Sequence, residues 1–185
     1  MPIEPMAPQS GALPPLTTDS LVETLGQLLT ARRLTLALAE SCTGGLLGHL
    51  ITEVPGSSAY FLGGVVAYDY EAKERLIAVP HDKIVRYGVV SEPVALAMAQ
   101  GACTALGADI GLAVTGIAGP GGATPTKPVG LTYVALVTHD AQWCRRYVWT
   151  GDRSSNKRLS ARAALELLKE YLDTASWTEA GTPAF

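Results

Sequence analysis

Apolar positions along this chain alternate between short solid runs and spaced sets, the pattern of strands buried on both faces interleaved with helices buried on one. Leu21, Leu25, Leu28 and Leu29 recur at helical spacing behind Asp19 and Ser20, two residues suited to capping, so a first helix is expected there. The run 34–39 predicts a short buried strand. Leu46, Leu47, Leu50 and Ile51 then resume helical spacing in a second helix that ends near Val54, Pro55 and Gly56. A strand is expected over 61–68, passing through Gly63 and Gly64, followed by a helix over 70–79 that Pro80 stops. Ser91, Glu92 and Pro93 have the order of a helix start, a cap followed by an acid and a proline, and the helix continues over 94–106. Residues 110–114 read as another buried strand. Segments 129–137 and 142–149 predict a hairpin across Thr138, His139, Asp140 and Ala141, and a last helix runs over 155–172.

Crossovers followed by a hairpin predict a three-layer α/β/α sandwich around a mixed, mostly parallel sheet with a C-terminal antiparallel hairpin. Residues 1–18, rich in proline and poor in periodicity, are expected to be a flexible tail, 19–173 a single domain and 174–185 a second tail. With 185 residues, 48% of them hydrophobic and 17% charged, the chain can bury one sizeable core.

Charge and cysteine content narrow the function classes. A formal net charge of −3 leaves no basic stripe to neutralise a run of phosphates, so no nucleic-acid partner is expected. No apolar run is long enough to span a bilayer, and the N-terminus lacks the basic and apolar order of a leader. A cytoplasmic protein without a membrane partner is therefore expected. Cys42, Cys103 and Cys144 are odd in number and widely spaced, which suggests neither a disulfide framework nor a zinc site. Cys42 reads either as a small buried filler or, beside Ser41, as a nucleophile.

Candidate chemistry sits where strands end in small residues. Ala39-Glu40-Ser41-Cys42-Thr43-Gly44-Gly45 places a hydroxyl, two glycines and a carboxylate at a strand-to-helix turn. Such a turn is expected to present free backbone N–H groups at the positive end of a helix, ready for an oxyanion or a phosphate. The plainer reading is that Ser41 or Thr43 caps the helix and the glycines let it approach the sheet. The strand 110–114 runs into Thr115-Gly116-Ile117-Ala118-Gly119-Pro120-Gly121-Gly122, whose amides suit an anion, with Lys127 as a countercharge; otherwise it is a long turn without chemistry. Neither segment is a Walker loop or a dinucleotide fingerprint.

A nucleophilic Ser41 needs a base. His49, His81 and His139 fall in a helix, a turn and a hairpin tip, where solvated roles are expected, and the Gly-x-Ser-x-Gly elbow is absent. Lys73, just past the strand ending at Tyr68, is the remaining kind of base if desolvation lowers its pKa; by default a lone lysine is a surface residue. Ser154-Ser155-Asn156-Lys157 matches Ser-x-x-Lys without its companion motifs, and helix capping explains that serine pair better.

Five segments in order carry a family resemblance. They are 39–45, Tyr68-x-x-Glu71-Ala72-Lys73, Val90-Ser91-Glu92-Pro93-Val94, Gly116-Ile117-Ala118-Gly119-Pro120-x-Gly122 with Lys127-Pro128-Val129-Gly130, and Gly151-Asp152-Arg153. Over 20–172 the chain thereby resembles the CinA C-terminal family, whose characterised members are nicotinamide-nucleotide amidohydrolases. The resemblance implies deamidation of nicotinamide mononucleotide to nicotinate mononucleotide and ammonia. Ser41 would be the nucleophile and Lys73 its base, with Tyr68 hydrogen-bonded within the dyad and amides near Thr43 and Gly44 as the oxyanion hole. Thr115, Gly116, Gly119, Gly122, Lys127 and Arg153 would bind the ribose phosphate. It implies no cofactor, no metal, a pyridine-nucleotide substrate and a homodimer. Relatives commonly read Tyr-Ser-Asn-Glu-Ala-Lys, where this chain has Asp69 and Tyr70, and Ala123 and Lys157 stand where glycine and arginine are frequent. A non-catalytic nucleotide-binding or regulatory module tied to competence or DNA damage is the alternative.

Overall fold

The computed structural model describes residues 20–174. The tails expected at 1–18 and 174–185, and Asp19, lie outside it, except for Thr174, which closes the last helix. In chain order the elements are α1 (Ser20–Ala31), β1 (Leu36–Glu40), α2 (Leu46–Thr52), a 3-10 turn (Ser57–Ala59), β2 (Phe61–Val66), α3 (Tyr70–Ile77), α4 (His81–Tyr87), α5 (Glu92–Leu106), β3 (Ile110–Gly116), β4 (Leu131–Val137), β5 (Gln142–Val148) and α6 (Arg153–Thr174). The strands form one sheet in the order β2-β1-β3-β4-β5. β1 lies parallel to both β2 and β3, while β3–β4 and β4–β5 are antiparallel.

The two faces of the sheet differ in bulk. Leu36, Leu38, Ile110, Leu112, Val114, Val134 and Leu136 project towards α1, α2 and α6. Ala37, Ala39, Ala113 and Ala135 project towards α3, α4 and α5, where they meet Ala95, Met98, Ala99 and Ala102. Period-two alternation in the strands therefore sorts large side chains to one face and small ones to the other. The small face lets α5 lie close against the sheet: a Cβ on Gly111 would stand 2.1 Å from the Ala99 carbonyl oxygen.

Several boundaries differ from the expected ones for local reasons. The helix expected over 70–79 ends at Ile77, with Ala78 in the left-handed region at φ 49°, and Pro80 precedes a further helix, α4, that the pattern did not announce. His81 therefore opens a helix rather than sitting in a turn. Pro80 suits that place because its fixed φ of −61° is compatible with a helix entry and its missing N–H would have no helical partner. β2 ends at Val66, so Tyr68 lies beyond the strand, and β3 extends through Thr115 and Gly116, which are strand rather than loop residues. Ser91 occupies the N-cap position of α5 as expected, but its hydroxyl makes no capping bond and donates to the Gly88 carbonyl at 2.7 Å. At α6 the cap is Asp152, which accepts from the Ser155 amide at 2.7 Å, so the serine pair 154–155 lies inside the helix.

Candidate active site

β1 and β3 are parallel neighbours, and beyond their carboxyl ends the chain turns to opposite sides, to β2 by way of α2 and to β4 by way of the 117–130 loop. The crevice at their carboxyl ends is the place where open α/β sheets bind ligands. A cavity of about 550 Å³ opens there, bounded by Ser41, Cys42, Tyr68, Tyr70, Lys73, Thr115, the 116–122 loop, Lys127 and Arg153.

Ser41 is the first residue after β1. Its amide donates to the Val114 carbonyl at 3.0 Å, and its own carbonyl accepts from the Gly44 amide at 3.1 Å. The backbone around the hydroxyl is thus held by the sheet on one side and by the turn on the other. Glu40 holds the turn further. Its side chain is 2% exposed, and its carboxylate accepts from the amides of Gly45 at 3.0 Å, Leu47 at 3.0 Å and Gly48 at 2.8 Å. The positive end of α2 is therefore occupied by a carboxylate of the chain itself, contrary to the expectation that it awaits a ligand. Thr43 and Gly44 do not line the cavity: Thr43 is fully buried with its hydroxyl unpartnered, and the Gly44 amide is taken by Ser41. Of the turn residues after Ser41, Cys42 lines the cavity, so a backbone donor for an oxyanion would come from there rather than from Thr43 or Gly44.

Lys73 reaches Ser41 from α3. Asp69 caps that helix, accepting from the Glu71 amide at 3.1 Å, so the residue standing in place of the common serine keeps a capping role. The Lys73 side chain runs inward and is 1% exposed. Its Nζ lies 2.6 Å from the Ala67 carbonyl oxygen, 3.1 Å from that of Tyr68 and 3.1 Å from Ser41 Oγ. The Ala67 amide in turn donates to the Glu40 carbonyl at 2.9 Å, which ties the acceptor of the lysine to the strand that carries the serine. Burial pulls the lysine pKa down to about 8, against the Asp69 carboxylate, which acts the other way. In its neutral form the amine has two hydrogens for the two carbonyls and a lone pair left for the Ser41 hydroxyl. The three neighbours therefore match a general base facing a nucleophile.

Cys42 is the buried filler of the two readings. Burial pushes its thiol up to about 12, far from thiolate formation near neutral pH, and its Sγ packs close behind Gly116.

The opposite wall carries the other expected residues. The Thr115 hydroxyl donates to the Val89 carbonyl at 2.9 Å. Gly119 has a positive φ of 89°, which turns its carbonyl towards Arg153 Nη1 at 2.7 Å. The Nη2 of the same guanidinium meets the Tyr68 hydroxyl at 3.0 Å. Tyr68 thus joins the dyad through its main-chain carbonyl, while its phenol turns away to Arg153. Lys127 Nζ donates to the Tyr87 carbonyl at 2.7 Å. Both cations border the cavity with protein carbonyls as their present partners. Asn156 buttresses the loop, donating from Nδ2 to the Ala118 carbonyl at 3.0 Å. Glu40 and Tyr70 were named in the candidate motifs without a role, and Asn156 was not expected at the site; that Glu40 must find donors follows from a carboxylate ending a buried strand. His49, His81 and His139 pair with neighbouring acids on the exposed surface. Among the described residues there is no cluster able to hold a metal ion, and no helix is long and apolar enough to cross a membrane.

The model of the CinA C-terminal domain family matches residues 18–172 of this chain. A CinA-like protein of Desulfotalea psychrophila is 47% identical over 154 residues, which is 83% of this chain and 37% of that relative. The chain thus spans little more than a third of the length of the curated relatives it matches. Among solved structures, a competence-damaged protein (CinA) superfamily protein of Klebsiella pneumoniae superposes with a TM-score of 0.82 at 32% identity, covering 85% of this chain and 99% of that one. The competence/damage inducible protein CihA of Agrobacterium tumefaciens gives 0.83 at 35% identity, covering 89% and 100%.

Proposed function

The chain belongs to the CinA C-terminal domain family, and from the dyad in its cavity we propose that it is an amidohydrolase that deamidates nicotinamide mononucleotide. The observation that carries this reading is the buried amine of Lys73, with two carbonyl acceptors and Ser41 Oγ as its neighbours.

In this mechanism Ser41 Oγ attacks the carboxamide carbon as its proton passes to Lys73 Nζ, and the carbonyl oxygen becomes an oxyanion facing the amide of Cys42. Each such donor typically contributes a factor of about 100 to 1000 in kcat. The C–N bond then breaks, Lys73 returns the proton to the departing nitrogen, and ammonia leaves an acyl-serine. Water attacks that ester, giving its proton to Lys73, and the serine recovers it as nicotinate mononucleotide departs. Lys127, Arg153 and the 116–122 loop bind the phosphate, the guanidinium exchanging its carbonyl and phenol partners for phosphate oxygens in a paired contact.

The deciding experiment is ammonia release from nicotinamide mononucleotide, nicotinamide riboside, free nicotinamide and unrelated nucleotides, with a chelator present. Release confined to the mononucleotide is expected. Ser41→Ala should remove it, lowering kcat by at least a thousandfold, and retain binding measured by calorimetry. Binding without turnover in the parent protein would instead return the chain to the role of a nucleotide-binding module.

A further inference from the structure

We propose that Glu40 is a positioning residue for the dyad, holding the nucleophile turn by its side chain and the lysine acceptor by its main chain. The inference rests on the serine–lysine reading of the site and adds to it a residue that touches neither substrate nor reacting atoms. Its side chain collects three amides from the first turn of α2, at 2.8 to 3.0 Å. These amides belong to residues 45, 47 and 48, so the carboxylate fixes where the helix begins and hence how the 41–44 turn closes between strand and helix. The same residue's carbonyl accepts from Ala67 at 2.9 Å, and the Ala67 carbonyl is the nearest acceptor of Lys73 Nζ, at 2.6 Å. Nucleophile and base come from different elements, β1 and α3, and Glu40 is bonded to the support of each.

Two physical features separate this from ordinary core packing. A carboxylate that is 2% exposed loses its hydration, and three N–H donors at a helix start are the compensation that keeps it in place. The donors are also backbone groups, so they cannot rotate away when the acceptor is changed. An isosteric amide would turn its NH2 towards at least one fixed N–H, and the turn would have to move. A displacement of about 1 Å at a reacting group is enough to cost roughly a hundredfold in rate.

The test uses Glu40→Gln and Glu40→Ala in the full chain, with two readouts. One is ammonia release from nicotinamide mononucleotide. The other is the rate at which Ser41 is labelled by a fluorophosphonate, which reports the nucleophile without depending on the substrate assignment. Glu40→Gln is expected to lower kcat and the labelling rate together by about 10- to 100-fold, with KM within a few-fold of the parent. In Glu40→Ala, added acetate or formate is expected to restore part of the labelling rate, because a small carboxylate can meet the same three amides. If Glu40→Gln labels and turns over at the parental rate, the proposal is overturned. It is also overturned if Glu40→Ala folds, as judged by its circular dichroism, and small carboxylates do not raise its labelling rate. Should the parent label at Ser41 but release no ammonia from any amide of the panel, the substrate reading fails while the positioning of the nucleophile is still measured.

Discussion

In the proposed mechanism Lys73 concentrates the chemistry of the site in one nitrogen. An ordinary lysine is an ammonium near neutral pH and offers no lone pair, whereas burial here brings its pKa to about 8. The base is active when deprotonated, so kcat/KM is expected to rise with pH through a midpoint near 8 and level off above it. Lys73→Arg, which keeps its charge, and Lys73→Met, which has no base, should both lose at least a hundredfold in kcat. Parental activity in either would rule out Lys73 as the base. Ser41 and Lys73 were legible in the sequence because the strand-to-helix turn, the shortage of usable histidines and the family motifs converged on them. Glu40 was visible as a residue but not as a role, since its partners are main-chain amides that no side-chain pattern displays. The direction of the Tyr68 phenol was hidden for a similar reason: it is set by Arg153, 85 positions away.

Arg153 links three elements. From the first residue of α6 it reaches the loop after β3 and the residue two beyond β2, closing one side of the cavity with bonds of 2.7 and 3.0 Å. Arg153→Ala is expected to raise the Kd of the mononucleotide at least tenfold while changing that of the riboside by less than threefold, since only the former carries the phosphate. Equal losses in calorimetry would mean that the guanidinium serves only to hold the loop. At this scale most elements were readable from periodicity, because runs such as 110–114 and 94–106 are long or solidly apolar. α4 was not. Seven residues behind a proline give too few turns to display a face, and Ile84 alone of them is buried.

Across the whole molecule, the sorting of bulk between the two sheet faces sets the spacing of the layers. The expected three-layer sandwich follows from strand and helix order alone, but the closeness of α5 rests on single hydrogens at Gly101 and Gly111, where a Cβ would stand 1.8 and 2.1 Å from carbonyl oxygens of Ile77 and Ala99. Gly111→Ala should therefore force the layer apart and cost about 1 to 3 kcal/mol. In a thermal melt this is expected as a fall in Tm of several degrees, and an unchanged Tm would show that α5 can shift freely.

α6 begins at the cavity with Arg153 and continues for 22 residues to Thr174, where the Leu172 carbonyl is held by Arg32 at the end of α1. At 1.5 Å per residue it places its far end about 33 Å from its first turn. That end is a natural handle. A fluorophore or a surface tether joined at residue 174, which is exposed, stands a full helix length away from the cavity mouth, so the protein can be immobilised or labelled there with the cavity open to solution.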